Sequence, residues 1–351
     1  MKFTGKRCFA FAGRAILIAL FFCFATMPYL QTRQAEAELP AEEALSPAQM
    51  DELWKKAERF MPSAAPPNEP SAGSLLPLDM DESLIDWVKL DEGLELLELG
   101  LSRQPGGALA LTAPVAQADF IILRVDPELY EFTLHMASED GEHRTLSEHA
   151  GLHGLSAAIN AGMYLQDNLT NTGYMQSSTH VNNPRIVTRF GVFFVAEPHM
   201  DSLPKARLLE KNDLGEKPKK FLNHYAIVVQ NFRLFSAVGE VLWPNNQNIH
   251  SISALAQDKN GNILLMLCRF QLSPADFSRL VMSMPLDCIS AMYLEGGSHA
   301  KLLLKGRDGG EASVWRGKRN SILALDGPAD APLPNVLGIR PRPKEADPHD
   351  D

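Results

Sequence analysis

Beyond Trp87 the chain is built from short runs that are apolar at every position, and no other feature constrains its fold as strongly. Phe120-Ile-Ile-Leu123, Val192-Phe-Phe-Val195, Ile263-Leu-Leu-Met-Leu-Cys268 and Ala291-Met-Tyr-Leu294 are each four to six residues long. They are too short for buried helices and lack the apolar–polar alternation of a strand with one wet face. Such runs read as strands covered on both sides. Tyr130-Glu-Phe-Thr-Leu-His-Met136 alternates, and the Asp126-Pro127-Glu128 turn before it predicts a hairpin-like pair with the preceding strand. Asp258-Lys-Asn-Gly261 is a tight-turn signature between two further strands. Two helices are available as cover. Thr145-Leu-Ser-Glu148 is a capping box opening a helix to about His153, and Ser273-Pro-Ala-Asp276 opens another to about Met284. The expected fold class is α+β (mixed α/β): one large mixed, twisted sheet with a few covering helices, a single domain over residues 86–341. No internal repeat of fixed period is visible.

The ends of the chain read differently. Lys2, Lys6, Arg7 and Arg14 precede the apolar run Ala15-Ile-Leu-Ile-Ala-Leu-Phe-Phe-Cys-Phe-Ala25, and Ala35-Glu-Ala37 supplies small residues at a cleavage site. That pattern is a secretory signal over residues 1–37, cut after Ala37, and it predicts a periplasmic or secreted protein. The rival is an uncleaved anchor, for which the run falls short of the ~20 residues a spanning helix prefers. Residues 38–85 combine one short amphipathic helix, with Ser46 as cap, and a Pro-rich linker. Residues 342–351 form a charged tail. Overall, 43 acidic residues outnumber 33 basic ones, for a net charge of −10, without a basic run. The mean field therefore repels a nucleic-acid backbone. Of the four cysteines, Cys8 and Cys23 leave with the signal. Cys268 and Cys288 sit in strand-like runs, where a buried thiol and a bridge are both open readings.

Two loops carry residues that a buried strand does not want. Ile159-Asn160-Ala161-Gly162 ends an apolar strand on an amide, and the glycine lets another backbone approach. Leu294-Glu295-Gly296-Gly297-Ser298-His299 places a carboxyl where a strand emerges; two glycines follow that can turn N–H groups toward an anion, then a hydroxyl and an imidazole. Strand ends of this kind are where α/β sheets collect ligands. His149 and His153 lie four residues apart on the first predicted helix; without an acidic partner beyond Glu148 they read as surface or packing residues.

Taken together and in order, these stretches resemble a known family. Ala158-Ile-Asn-Ala-Gly-Met-Tyr164 is similar to the Asn-Gly-Gly-Phe-Phe-type motif of phosphodiester glycosidases, and Tyr293-Leu-Glu-Gly-Gly-Ser298 resembles their Leu-Asp-Gly-Gly-Ser signature. Between them, residues 226–235 resemble the family's Gln-x-x-Pro-x-Leu strand. Two departures stand out: Glu295 replaces the family's Asp, and His250 stands where it has Arg.

The resemblance implies an exported hydrolase that cleaves the glycosidic bond of a sugar-1-phosphodiester in an envelope or extracellular glycan. The departures motivate an alternative, a non-catalytic glycan- or exopolysaccharide-binding module of the same fold. In the hydrolase, Glu295 and Asn160 are the catalytic candidates. Gly162, Gln230, Arg233, His250, Gly296, Gly297, Ser298 and His299 are the substrate-binding candidates. The backbone of residues 296–298, with His250 and Arg233, would meet the phosphate, while Asn160, Gln230 and Ser298 would meet the sugar. The partner is a carbohydrate or sugar phosphate; nucleic acid is not expected, and a membrane enters only through an uncleaved signal. No cofactor is demanded by the sequence, and a Ca²⁺ held by oxygen ligands is open.

Overall fold

The computed structural model describes residues 78–79, 81–105, 107–243, 248–306, 310–318 and 330–343. The signal, the amphipathic helix, the Pro-rich linker and most of the charged tail lie outside the described residues. Among the described residues, no helix is long and apolar enough to cross a membrane.

The strands form three sheets rather than one. The largest has nine strands, and its path runs Leu78–Asp79, Leu109–Thr112, Leu94–Arg103, Phe120–Val125, Ile263–Leu272, His250–Asp258, Cys288–Gly296 and Arg233–Phe235, with Val88–Asp91 paired to Leu94–Arg103. A five-stranded sheet is ordered Ala206–Glu210, Val192–Pro198, Tyr225–Asn231, Met175–Gln176, Val181–Asn183. A third, also of five strands, is ordered Ser313–Arg316, Lys301–Leu304, Ala157–Asn160, Asn335–Pro341, Tyr130–Met136. Among the described pairings only that of Leu78–Asp79 with Leu109–Thr112 is parallel. The α+β class stands, but the expected single mixed sheet becomes three nearly all-antiparallel ones.

The reason lies in the apolar runs. Along Ile263–Leu272, residues 263, 265 and 267 enter one core and residues 264, 266 and 268 enter another. The first core lies between the large sheet and the two smaller ones, joining Ile121, Leu123 and Leu255 to Phe194, Val229, Phe132, Ile159 and Leu302. In the second, Phe277, Leu280 and Val281 of the Pro274–Ser283 helix pack against Phe120, Ile122 and Met266. One face of the large sheet is therefore covered by a helix and loops, the other by further sheets. Pattern alone does not distinguish a helix from a sheet as cover.

The same packing overturns the predicted hairpin. Phe120–Val125 pairs within the large sheet, whereas Tyr130–Met136 pairs with Asn335–Pro341 in the third. The Asp126 turn is present, with Asp126 Oδ1 accepting from the Glu128 N–H at 2.9 Å. It carries the chain from one layer to the facing one. Other local signals hold as expected. Thr145 and Glu148 make the reciprocal capping box of helix Leu146–His153, and Ser273 caps Pro274–Ser283. Asp258 Oδ1 accepts from the N–H groups of Asn260 and Asn262, both at 2.9 Å.

Cys268 and Cys288 are free thiols. They pair with Ile252 and Asp258, six residues apart along the strand between them. That separation is about 20 Å, far beyond the ~7 Å a disulfide allows. Alkylation in denaturant without reductant should therefore label both thiols; protection of the pair would contradict this register. Burial also pushes the Cys288 thiol up to about 12, so it is a poor nucleophile at neutral pH.

Candidate functional site

The two loops singled out by sequence meet at neighbouring strand ends. Ala157–Asn160 runs antiparallel to Lys301–Leu304, which follows directly on the Gly297–His299 turn. Asn160 is buried, and its Oδ1 accepts from the Lys301 N–H at 3.0 Å. Tyr164, four residues on, sets its ring edge-on to His299 at 5.7 Å, and the Glu295 carboxylate contributes to holding the Tyr164 phenol at about 12. Burial is the larger cause of that shift.

Around the Asn160 loop, several buried polar atoms have no hydrogen-bond partner. Asn160 Nδ2, Asn171 Oδ1, Thr172 Oγ1 and Asn335 Oδ1 are all in this state. Each belongs to the loop or to a segment touching it. The Ala161 N–H donates to Asn335 O, the Thr172 N–H donates to Met163 O, and Gly162 packs on Asn171. A Cβ at Gly162 would lie 2.7 Å from Asn171 Oδ1, so this position requires glycine for close approach. Orphaned buried polar atoms are rare, and a group of them marks a place for water or a ligand.

On the other wall, Glu295 sits opposite Ser253, where the pairing slips by a bulge. Bulges of this sort re-aim side chains at sheet ends. The carboxyl remains partly exposed, but the surrounding protein raises it from 4.5 to about 7, offset in part by the Gly296 N–H donating to Oε1 at 2.9 Å. Desolvation of the charged form is the dominant cause. Near neutral pH this group exists as acid and carboxylate in comparable amounts. That is the condition for moving a proton in either direction. Gly296 packs against the His250 ring and within 2.5 Å of the Tyr293 hydroxyl, measured from the position a Cβ would take, so no side chain fits there. Gly297 has a φ of 63°, which glycine adopts without strain. Gly296, Gly297 and Ser298 are half-buried and His299 is exposed.

Three expected substrate contacts are placed otherwise. Gln230 is fully buried, and both ends of its amide are used by backbone: Oε1 accepts from Val187 N–H (2.8 Å) and Tyr174 N–H (3.3 Å), while Nε2 donates to Val187 O (2.8 Å) and Phe190 O (3.0 Å). It holds loops together and has no capacity left for a sugar. Arg233 is paired with Glu210, so its charge is already matched. His250 shares a 3.2 Å hydrogen bond with the Tyr293 hydroxyl, and burial lowers its proton affinity. The imidazole is therefore a neutral neighbour of Gly296 rather than a cation for phosphate.

The residues that sequence reasoning passed over are Tyr164 and Tyr293, which stood inside the two motifs, and Asn171 and Asn231, which did not. Asn231 is fully buried and its Nδ2 donates to Leu294 O at 3.2 Å, next to Glu295. The signal for it was a second polar residue, after Gln230, closing an apolar strand. Among the described residues, no group of three His, Cys, Asp or Glu side chains gathers at Glu295. Oxygen ligands for a Ca²⁺ there would have to include amides and carbonyls. A cavity of about 580 Å³ lies elsewhere, and none of the expected site residues lines it.

A family model described as phosphodiester glycosidase matches residues 153–340, more than half of the chain, with Asn160, His250 and Glu295 inside the match. This chain is a member of the phosphodiester glycosidase family. The fold agrees: the catalytic domain of zebrafish N-acetylglucosamine-1-phosphodiester alpha-N-acetylglucosaminidase, auto-inhibited by its pro-peptide, superposes with a TM-score of 0.50 at 13% identity, covering 73% of this chain and 86% of that one. A hypothetical protein from Synechocystis superposes with a TM-score of 0.48 at 15% identity, covering 73% of this chain and 63% of that one. No curated protein matches the sequence.

Proposed function

We propose that the protein hydrolyses the glycosidic bond of a sugar-1-phosphodiester, releasing the free sugar and a phosphomonoester. The observation that carries this reading is the Glu295 carboxyl, poised at about 7 where the Asn160–Tyr164 loop and the Gly296–His299 turn meet. A phosphate attached at C1 is a good leaving group, so the demand falls on stabilising the oxocarbenium-like sugar and on activating water. Glu295 serves as carboxylate or base, and the unpartnered Asn160 Nδ2 supplies a donor for a sugar hydroxyl or amide. The Gly297–Ser298 backbone takes the phosphate in place of a charged clamp, since Arg233 and His250 are engaged elsewhere.

Incubation of the purified chain with N-acetylglucosamine-1-phosphodiester and hexose-1-phosphodiester substrates should release phosphomonoester, detected by a coupled phosphatase. The engaged Arg233 and His250 favour one second reading, a binding module without turnover. Calorimetric sugar-phosphate binding with no product after prolonged incubation would select it. Export belongs to the same proposal and rests on the basic and apolar N-terminal pattern. Material recovered from an exporting host should begin at Glu38, whereas an intact Met1 terminus would remove the cleaved-signal reading.

A further inference from the structure

We propose that His135, His149 and His153 form a site for a first-row transition-metal dication of the Zn²⁺ type, facing the 580 Å³ cavity. The third sheet and the helix packed on it create the cluster. Along Tyr130–Met136 the side chains of 130, 132, 134 and 136 are buried and those of 131, 133 and 135 are half-buried on the opposite face. His149 and His153 are one turn apart on Leu146–His153, so their side chains share a helix face. Sequence shows the helical pair. Only the fold adds the third imidazole.

One candidate ligand atom from each of the three residues lies within 4.8 Å of the other two. The rings of His135 and His153 are 3.8 Å apart and nearly parallel, and His135 and His149 are 5.2 Å apart. Ligation uses neutral imidazole nitrogens, and each of these rings brings one to the cluster. His149 is buried and its Nδ1 has no hydrogen-bond partner. An unpartnered buried nitrogen is a position that a bound ion would satisfy. Further polar groups stand around the trio. The Thr133 hydroxyl is 2.9 Å from His135 Nε2, and Asp140, paired with Arg144, lines the same cavity together with Arg340.

The donor set selects the ligand class. Three imidazole nitrogens suit Zn²⁺, Cu²⁺ or Ni²⁺ and are wrong for Ca²⁺ or Mg²⁺, which take oxygen. Three protein ligands with a fourth position open to a cavity are the pattern of a reactive rather than a closed structural zinc. To hold one ion at about 2.0–2.1 Å per nitrogen, the stacked rings must turn so that their nitrogens converge. His135 and His149 precede the family-matched stretch, and no residue of the Glu295 site lines this cavity, so the site is separate from the proposed hydrolase centre.

Metal-free full-length protein titrated with ZnCl₂ should bind one equivalent at about micromolar affinity or tighter, and Co²⁺ should give the visible absorption of a low-symmetry four-coordinate nitrogen site. His153→Gln, at the least buried position of the three, should weaken Zn²⁺ by at least about tenfold and abolish the Co²⁺ bands. Its metal-free melting temperature should stay unchanged. The exposed His224→Gln serves as control and should bind as wild type. Millimolar binding, or affinity undiminished in both His153→Gln and His149→Gln, would overturn the proposal.

Discussion

Glu295→Gln is expected to lower turnover of a sugar-1-phosphodiester by about 10²–10⁴-fold, the range for losing a positioned acid or base. It should also leave the protein at least as stable as wild type above neutral pH. The second expectation separates a catalytic loss from misfolding. Burial raises the carboxyl from 4.5 to about 7, so the folded state holds this proton more tightly than the unfolded chain does. Stability therefore declines as pH rises through this window and levels off above it. At about 1.4 kcal/mol per unit the cost has a ceiling of about 3 kcal/mol, reduced by the solvent that reaches the half-buried group. The neutral amide escapes that cost. Melting curves of the two proteins should nearly coincide at pH 4.5 and separate in favour of Gln at pH 8. In wild type the activity should show a limb near pH 7 that vanishes in the variant. Retention of full activity in Glu295→Gln would remove the assignment of this carboxyl.

Gln230→Ala should destabilise the fold by about 3–5 kcal/mol. Removing the side chain strands three buried backbone groups, the Tyr174 and Val187 N–H and the Phe190 carbonyl, while Val187 O keeps the Phe190 N–H; each stranded group costs about 1–3 kcal/mol, with partial relief from water entering the gap. The amide fastens the segment around 187–190 to the Tyr225–Asn231 strand, and through it the Phe190–Phe232 contact at 4.4 Å. Urea unfolding should show a lowered midpoint at constant slope. A change below about 1 kcal/mol would mean that Gln230 is not holding these loops, and would return it to the substrate contacts.

Much of the candidate site was legible because its loops are marked by local chemistry. Asn160 and Glu295 end apolar strands, and a polar residue there needs an explanation that a turn alone does not supply. The capping box at Thr145 and the Asp258 turn were equally legible, since both close within four residues. Gln230 and Arg233 meet partners that sequence does not disclose, for one shared reason. Sequence shows that a side chain can donate and accept, but not whether distant backbone or a carboxylate such as Glu210 has already claimed it. His149 and His153 were read without His135, which joins them across the face of a sheet.

What the amino-acid order by itself determined is the inventory: strands apolar on both sides, two capped helices, two loops whose residues are costly to bury unpaired. Those features arise from side-chain period and local hydrogen bonding, which act over a few residues. The tertiary structure alone decided how the strands divide among three sheets, which polar groups are already satisfied, and which imidazoles share a cavity. Those outcomes depend on burial and pairing between segments far apart in the chain, and such contacts exist only once the layers have closed on one another.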